Sequence, residues 1–317
     1  GVWKDAAVTA VVHVAAGSYT NKMGYVLNTP VRIIGAGADA GKFVGGKDLN
    51  ALNVPMFKVT TNEVELSGFT VSDCANGTSG KAVWLNGGAL RDCRFERNTG
   101  GGSGGAVHQE GGLVTNCVFT GNSATAGGGL WMSAGEAVDC TFANNEARQT
   151  GSDGPEDIYD YSGKLTAVNC YLGDMFVKAG EVLTKSYRKG EVDPKFASEK
   201  GNYRLLPGSP LIGVGDPVSC VTDAEGYAIP DTPSVGALQT VSGAGATEPE
   251  NLVVNMGGSV SVSIAYPAGL VGAGTLTVVR PDGTLTETEV TDGATVAVPT
   301  GLGGNYSLIL SVGGESY

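Results

Sequence analysis

The sequence predicts an all-β chain, a parallel β-helix over residues 1–242 followed by a small immunoglobulin-like β-sandwich over 251–317. Three observations carry this. Short alternating runs recur with a period near 23 residues, no stretch shows helical periodicity, and Gly makes up 51 of 317 residues while charged residues are only 16%. That glycine content is about twice the usual share of ~7%. It suits many short strands joined by tight turns, where glycine supplies positive φ angles.

Ala82-Val83-Trp84-Leu85 through Cys93-Arg94-Phe95 aligns without gaps on Ala106-Val107-His108-Gln109 through Cys117-Val118-Phe119, and on Gly129-Leu130-Trp131-Met132 through Cys140-Thr141-Phe142. Each cysteine is followed by Phe two residues later and by Asn98, Asn122 or Asn145 five residues later. A fourth copy, Asp157-Ile158-Tyr159 through Cys170-Tyr171-Leu172, has two extra residues before its cysteine. A period of this length with alternating runs means one β-coil per repeat. Coils stacked at ~4.8 Å turn equivalent side chains into ladders. Inward cysteine and phenylalanine ladders and a hydrogen-bonded asparagine turn ladder follow. The cysteines match the coil period and not the short pairs of zinc sites, so buried small hydrophobes are the expected role.

Hydrophobic residues at 41% supply a core and exclude disorder. A net charge of −12 argues against nucleic acid as partner. No run approaches the ~18 apolar residues of a membrane helix, so no membrane insertion is expected. The chain opens and stops in mid-pattern and reads as a monomeric piece of a longer polypeptide.

Residues 179–242 read as a closing segment of the β-helix, and 243–250 (Gly-Ala-Gly-Ala-Thr-Glu-Pro-Glu) as a flexible linker. Beyond it come five period-2 strands, with a hairpin signal at Pro281-Asp282-Gly283-Thr284. About 67 such residues fit a small sandwich acting as a spacer.

The Gly104-Gly105-Ala106-Val107 and Phe119-Thr120-Gly121-Asn122 pairing resembles the repeats of polymorphic outer-membrane proteins and related pectin-lyase-like surface proteins. Val12-His13-Val14-Ala15-Ala16-Gly17-Ser18-Tyr19-Thr20 is similar to their first coils. Val192-Asp193-Pro194-Lys195-Phe196 and Gly208-Ser209-Pro210-Leu211-Ile212 are similar to the closing segment of secreted bacterial β-helix proteins. The resemblance implies a right-handed β-helix that is secreted or sits on a bacterial cell surface. It does not fix an activity, since the family mixes adhesins, glycan binders, lyases and hydrolases. The paired Asp-Asp and Gly-His-Gly of pectin hydrolases and the Arg-x-Pro-x-x-Arg of pectate lyases are missing here.

Alternation then picks out one face. With Val83, Val107, Leu130 and Ile158 inward, Trp84, His108, Trp131 and Tyr159 point outward on successive coils. Asn86, Glu110, Ser133 and Tyr161 form the next outward row. Aromatics flanked by Asn, Glu and hydroxyl groups are what sugar recognition uses. The expected ligand site is therefore Trp84, His108, Trp131, Tyr159, Asn86, Glu110 and Tyr161, and the expected partner a polysaccharide or glycoprotein glycan. The plain alternative is that the aromatics only pack along the sheet.

For catalysis the candidates are His108 and Glu110 as acid/base partners, aided by Asp157 or Asp160. A lyase would also draw on Lys58, Lys81, Arg91 or Arg94. These residues do not decide whether the chain is an enzyme. A glycan-binding or adhesin module, a polysaccharide lyase or hydrolase, and a structural stalk remain as three readings. No cofactor or metal is assigned. Calcium is raised only by Asp153, Glu156 and Asp157, whose spacing does not match an EF-hand.

Overall fold

A computed structural model describes residues 10–75, 77, 79–148, 157–177, 180–198, 201–206, 208–217, 222–225, 229–239, 259–264, 273–279, 285–299, 307–312 and 315–316. The linker 243–250, the hairpin turn 281–284, and Asp153 and Glu156 lie outside these residues. The chain divides into two compact units, residues 1–239 and 240–317.

The first unit is a parallel β-helix with three faces. Face 1 stacks Tyr25–Leu27, Phe57–Val59, the starts of Val83–Arg91 and Val107–Thr115, then Leu130–Met132, Ile158–Asp160 and Met175–Val177. Face 2 stacks Val11–Val14, Val31–Gly35, Val64–Ser67, the ends of the same two long strands, Glu136–Val138, Thr166–Val168 and Val182–Thr184. Face 3 stacks Gly17–Asn21, Gly41–Gly45, Thr70–Ser72, Arg94–Glu96, Val118–Thr120 and Thr141–Ala143. Every one of these pairings is parallel, and the sequence repeats meet in register: Val107 lies beside both Val83 and Leu130.

An Asp or Asn directly precedes Cys93, Cys117, Cys140 and Cys170, and the corners explain why. Between faces 2 and 3 the chain turns through left-handed residues Asp92 (φ 51°), Asn116 (54°), Asp139 (50°) and Asn169 (53°). Asn and Asp tolerate this conformation better than other L-residues. The next residue in each case, Cys93, Cys117, Cys140 or Cys170, is fully buried with a free thiol. The ring centroids of Phe95, Phe119 and Phe142 lie 4.9 and 4.4 Å apart along the interior. Such separations follow from strand spacing, so each ring rests on the one below.

At the following corner the asparagine ladder forms as expected. The Asn98 backbone N–H and Nδ2 both donate to Asn122 Oδ1, at 2.9 and 3.0 Å, and Asn122 repeats this onto Asn145 Oδ1 at 3.0 and 2.8 Å. Each amide also donates to a carbonyl of the preceding coil, Val71 for Asn98 and Phe95 for Asn122. The ladder thereby satisfies corner groups that water cannot reach.

The closing segment lies along face 3. Tyr203, Ala224, Ala237 and Leu238 pack on the outward side chains Val118 and Ala143. The Tyr203 hydroxyl bonds Thr120, and Arg94 donates to Gly201 O (3.1 Å) and Glu225 (2.8 Å). Face 3 is therefore covered, while face 1 keeps its outer surface.

In the second unit, Ser259–Ser263 pairs antiparallel with Thr295–Pro299. Gly274–Val279 lies antiparallel between Leu285–Val290 and Ser307–Val312. Ile264 and Val298 share one apolar cluster with Leu276, Val278 and Val290, so the two sheets pack as a sandwich in outline.

Candidate functional site

Register places seven side chains on one outward ladder of face 1: Val26, Lys58, Trp84, His108, Trp131, Tyr159 and Phe176. Their inward neighbours Phe57, Val83, Val107, Leu130 and Ile158 are buried. Trp84, Trp131 and Tyr159 are half-buried, His108 is buried, and Phe176 is exposed.

The rings stack on one another along the helix axis. His108 lies 4.7 Å from Trp84 and 4.1 Å from Trp131, centroid to centroid, and the latter pair is tilted by only 10°. Tyr161 continues the stack on Trp131 at 5.6 Å, and Tyr159 stacks separately on Phe176 at 4.9 Å. At the other end the Lys58 ammonium sits 5.2 Å from the Trp84 ring centroid. This refines the expectation of flat ring faces turned to solvent. Side chains one strand apart use those faces on each other, and the ladder shows the ring edges instead. An edge is the electropositive part of an aromatic ring and favours oxygen acceptors. Broad ring surface remains at Tyr161 (52% exposed) and Phe176 (39%).

Glu110 stands where the ladder is irregular. The pairing of Val83–Arg91 with Val107–Thr115 shifts between Gln109 and Gly111, so Glu110 is the extra residue of a bulge. Its carboxylate accepts from the Trp84 indole N–H at 3.0 Å and lies 3.5 Å from His108 Nε2. Burial lowers the His108 pKa, which the Glu110 carboxylate partly opposes. His108 is thus neutral near pH 7, wedged between two indoles. Asn86, opposite Gly111, is exposed at the margin. A cavity of about 220 Å³ adjoins Trp84, lined by Tyr25, Val26, Asn53, Val54, Pro55 and Lys58.

Two catalytic candidates do not join this face, and the assignment is corrected accordingly. Asp157 is buried in the asparagine ladder. Its Oδ1 accepts from Asn145 N (3.0 Å) and Nδ2 (2.6 Å), and its Oδ2 from Asp174 N (2.9 Å). Gly173, at φ 60°, makes room for it, since a Cβ there would lie 2.2 Å from Asp157 Oδ2. Asp160 follows an outward residue and so points inward, fully buried, accepting from the Ser162, Gly163 and Leu165 amides. Both carboxylates close turns of the fold. Of the four basic candidates only Lys58 is on the face. Lys81 is buried against three carbonyls, and Arg94 binds the closing segment.

Phe176 was not anticipated, because its coil is 17 residues long, against 24 for the coil from Trp84 to His108. Lys58 precedes Trp84 by 26 residues, in a coil whose sequence lacks the Cys-x-Phe signature. Among the described residues no group of three or more His, Cys, Asp or Glu is placed to hold a metal ion. No described helix is long and apolar enough to cross a membrane. No protein family, curated protein or solved structure matches the chain.

Proposed function

We propose that this chain is a secreted or cell-surface β-helix module that binds glycans through face 1, in the manner of an adhesin. The observation that carries the reading is the outward ladder from Lys58 to Phe176, with Glu110 held over it by Trp84 and His108. Ring edges, the Glu110 carboxylate and the Lys58 ammonium offer directional partners to sugar hydroxyls, and Tyr161 and Phe176 offer ring surface. The adjoining cavity is an anchoring position for one sugar unit. The repeat resemblance to pectin-lyase-like surface proteins supports the extracellular setting, and the sandwich serves as a spacer.

The polysaccharide-cleaving alternative rests on the His108–Glu110 pair alone, now that Asp157 and Asp160 are bound up inside the coil. One experiment separates the readings. A panel of polysaccharides is tested for retention by the protein and, in parallel, for unsaturated products and new reducing ends. Retention without products is the expected result. Products would make the chain an enzyme, and absence of both would leave it a stalk.

A further inference from the structure

The corner between faces 2 and 3 carries a second polar ladder, Asp92, Asn116, Asp139 and Asn169, between the β-helix and the closing segment. Asn116 Nδ2 donates to Asp92 Oδ1 (2.6 Å) and to Thr222 O (2.9 Å). Asn169 Nδ2 donates to Asp139 Oδ1 (3.0 Å) and to Asp216 O (2.8 Å), while its Oδ1 accepts from Asp216 N (2.8 Å). The rungs on either side of Asp139 therefore grip residues 216 and 222 of the closing segment. Asp139 lies between them, fully buried, and its Oδ2 has no partner among the described residues. The Oδ1 of Asn116, on the adjacent rung, also has none. Two buried acceptors on neighbouring rungs are costly as they stand. A neutral Asp139 offers a donor at Oδ2 and still accepts from Asn169 at Oδ1, and the unpartnered acceptor on the adjacent rung is Asn116 Oδ1.

We propose that Asp139 is a proton-operated latch, which in its neutral form completes the ladder that holds the closing segment against the β-helix. The ionisable side chains of its own ladder and beside it are Asp92, bonded through Asn116, and the Cys140 thiol. Arg204 is paired with Asp223 and Glu225, so it does not neutralise Asp139. Burial pushes the Asp139 carboxyl up to about 7, and the Asn169 amide offsets this only in part. The folded pKa lies above the unfolded one, near 3.9. The latch's contribution is therefore full below about pH 4 and is lost as pH rises through about 7.

The test compares wild type with Asp139→Asn, whose amide can make the neutral acid's two bonds at every pH. Hydrogen exchange of the closing segment is measured for both at matched pH, so intrinsic exchange cancels. The wild-type-to-variant ratio is expected to rise about tenfold per pH unit between 4.5 and 6.5 and to level off above about 7.5. A ratio that stays flat from pH 4.5 to 8 overturns the proposal. If the variant does not fold, the side-chain carboxyl carbon of Asp139 is titrated by NMR in the wild type. A midpoint near 7 supports the latch and one below 5 overturns it.

Discussion

The imidazole of His108 and the indole of Trp131 are stacked at 4.1 Å with their planes 10° apart, so each covers the ring face that the other would show to a ligand. The contact links the fold and the candidate site directly. The parallel register that puts both rings on the outer surface also presses them together, so the ladder contributes to stability.

Trp131→Ala is therefore expected to lower stability by about 1–2 kcal/mol, from lost aromatic contact and partial burial. Tyr161→Ala and Phe176→Ala, whose rings are exposed, should cost less than about 1 kcal/mol and yet weaken glycan retention. Urea denaturation beside a retention assay checks this. If the two end variants bind as well as wild type, the exposed rings are not the recognition surface.

Asn122→Ala should be among the most damaging single changes in the β-helix. The side chain makes bonds to Asn98, Phe95 and Asn145 from a fully buried position. Its loss leaves the buried Asn98 N–H without its acceptor, at about 1–3 kcal/mol for an unsatisfied group. A denaturation midpoint unchanged from wild type would show that the ladder is dispensable.

Lys81→Met tests a different interior device. The Lys81 ammonium donates to the carbonyls of Leu49 (3.3 Å), Leu52 (2.8 Å) and Val54 (2.8 Å), fixing the end of the short helix Lys47–Ala51 and the wall of the cavity beside Trp84. Methionine fills similar space but leaves three carbonyls without this donor, a loss of about 2–4 kcal/mol. Thermal denaturation reads the cost, and faster hydrogen exchange confined to residues 47–55 would locate it.

The thiols of Cys74, Cys93, Cys117, Cys140 and Cys170 are all buried, and burial pushes the Cys74 thiol up to about 12. All five are expected to resist a thiol reagent in the native protein and to react once it unfolds. Cys117→Ser should cost about 1–3 kcal/mol through a buried hydroxyl in place of a thiol. Rapid labelling of any of the five in the native state would place it outside the interior.

The sequence by itself determined the coil. Cys93, Cys117 and Cys140 with Phe and Asn at fixed offsets marked the period, and strict alternation then assigned Val83 inward and Trp84 outward, because side-chain direction along a strand is a local backbone property. The tertiary structure alone decided what the outward groups could do. Whether a ring shows its face or its edge depends on the side chain one coil away, and Phe176 and Lys58 join the ladder from coils of irregular length. Asp157 looked like a groove carboxylate, yet Asn145 and Asp174 draw it into the interior. Face 3 disappears under Tyr203 and Leu238, at least 83 residues beyond the Val118–Thr120 strand they cover. Alternation specifies direction, but only packing between distant segments specifies which surface remains available.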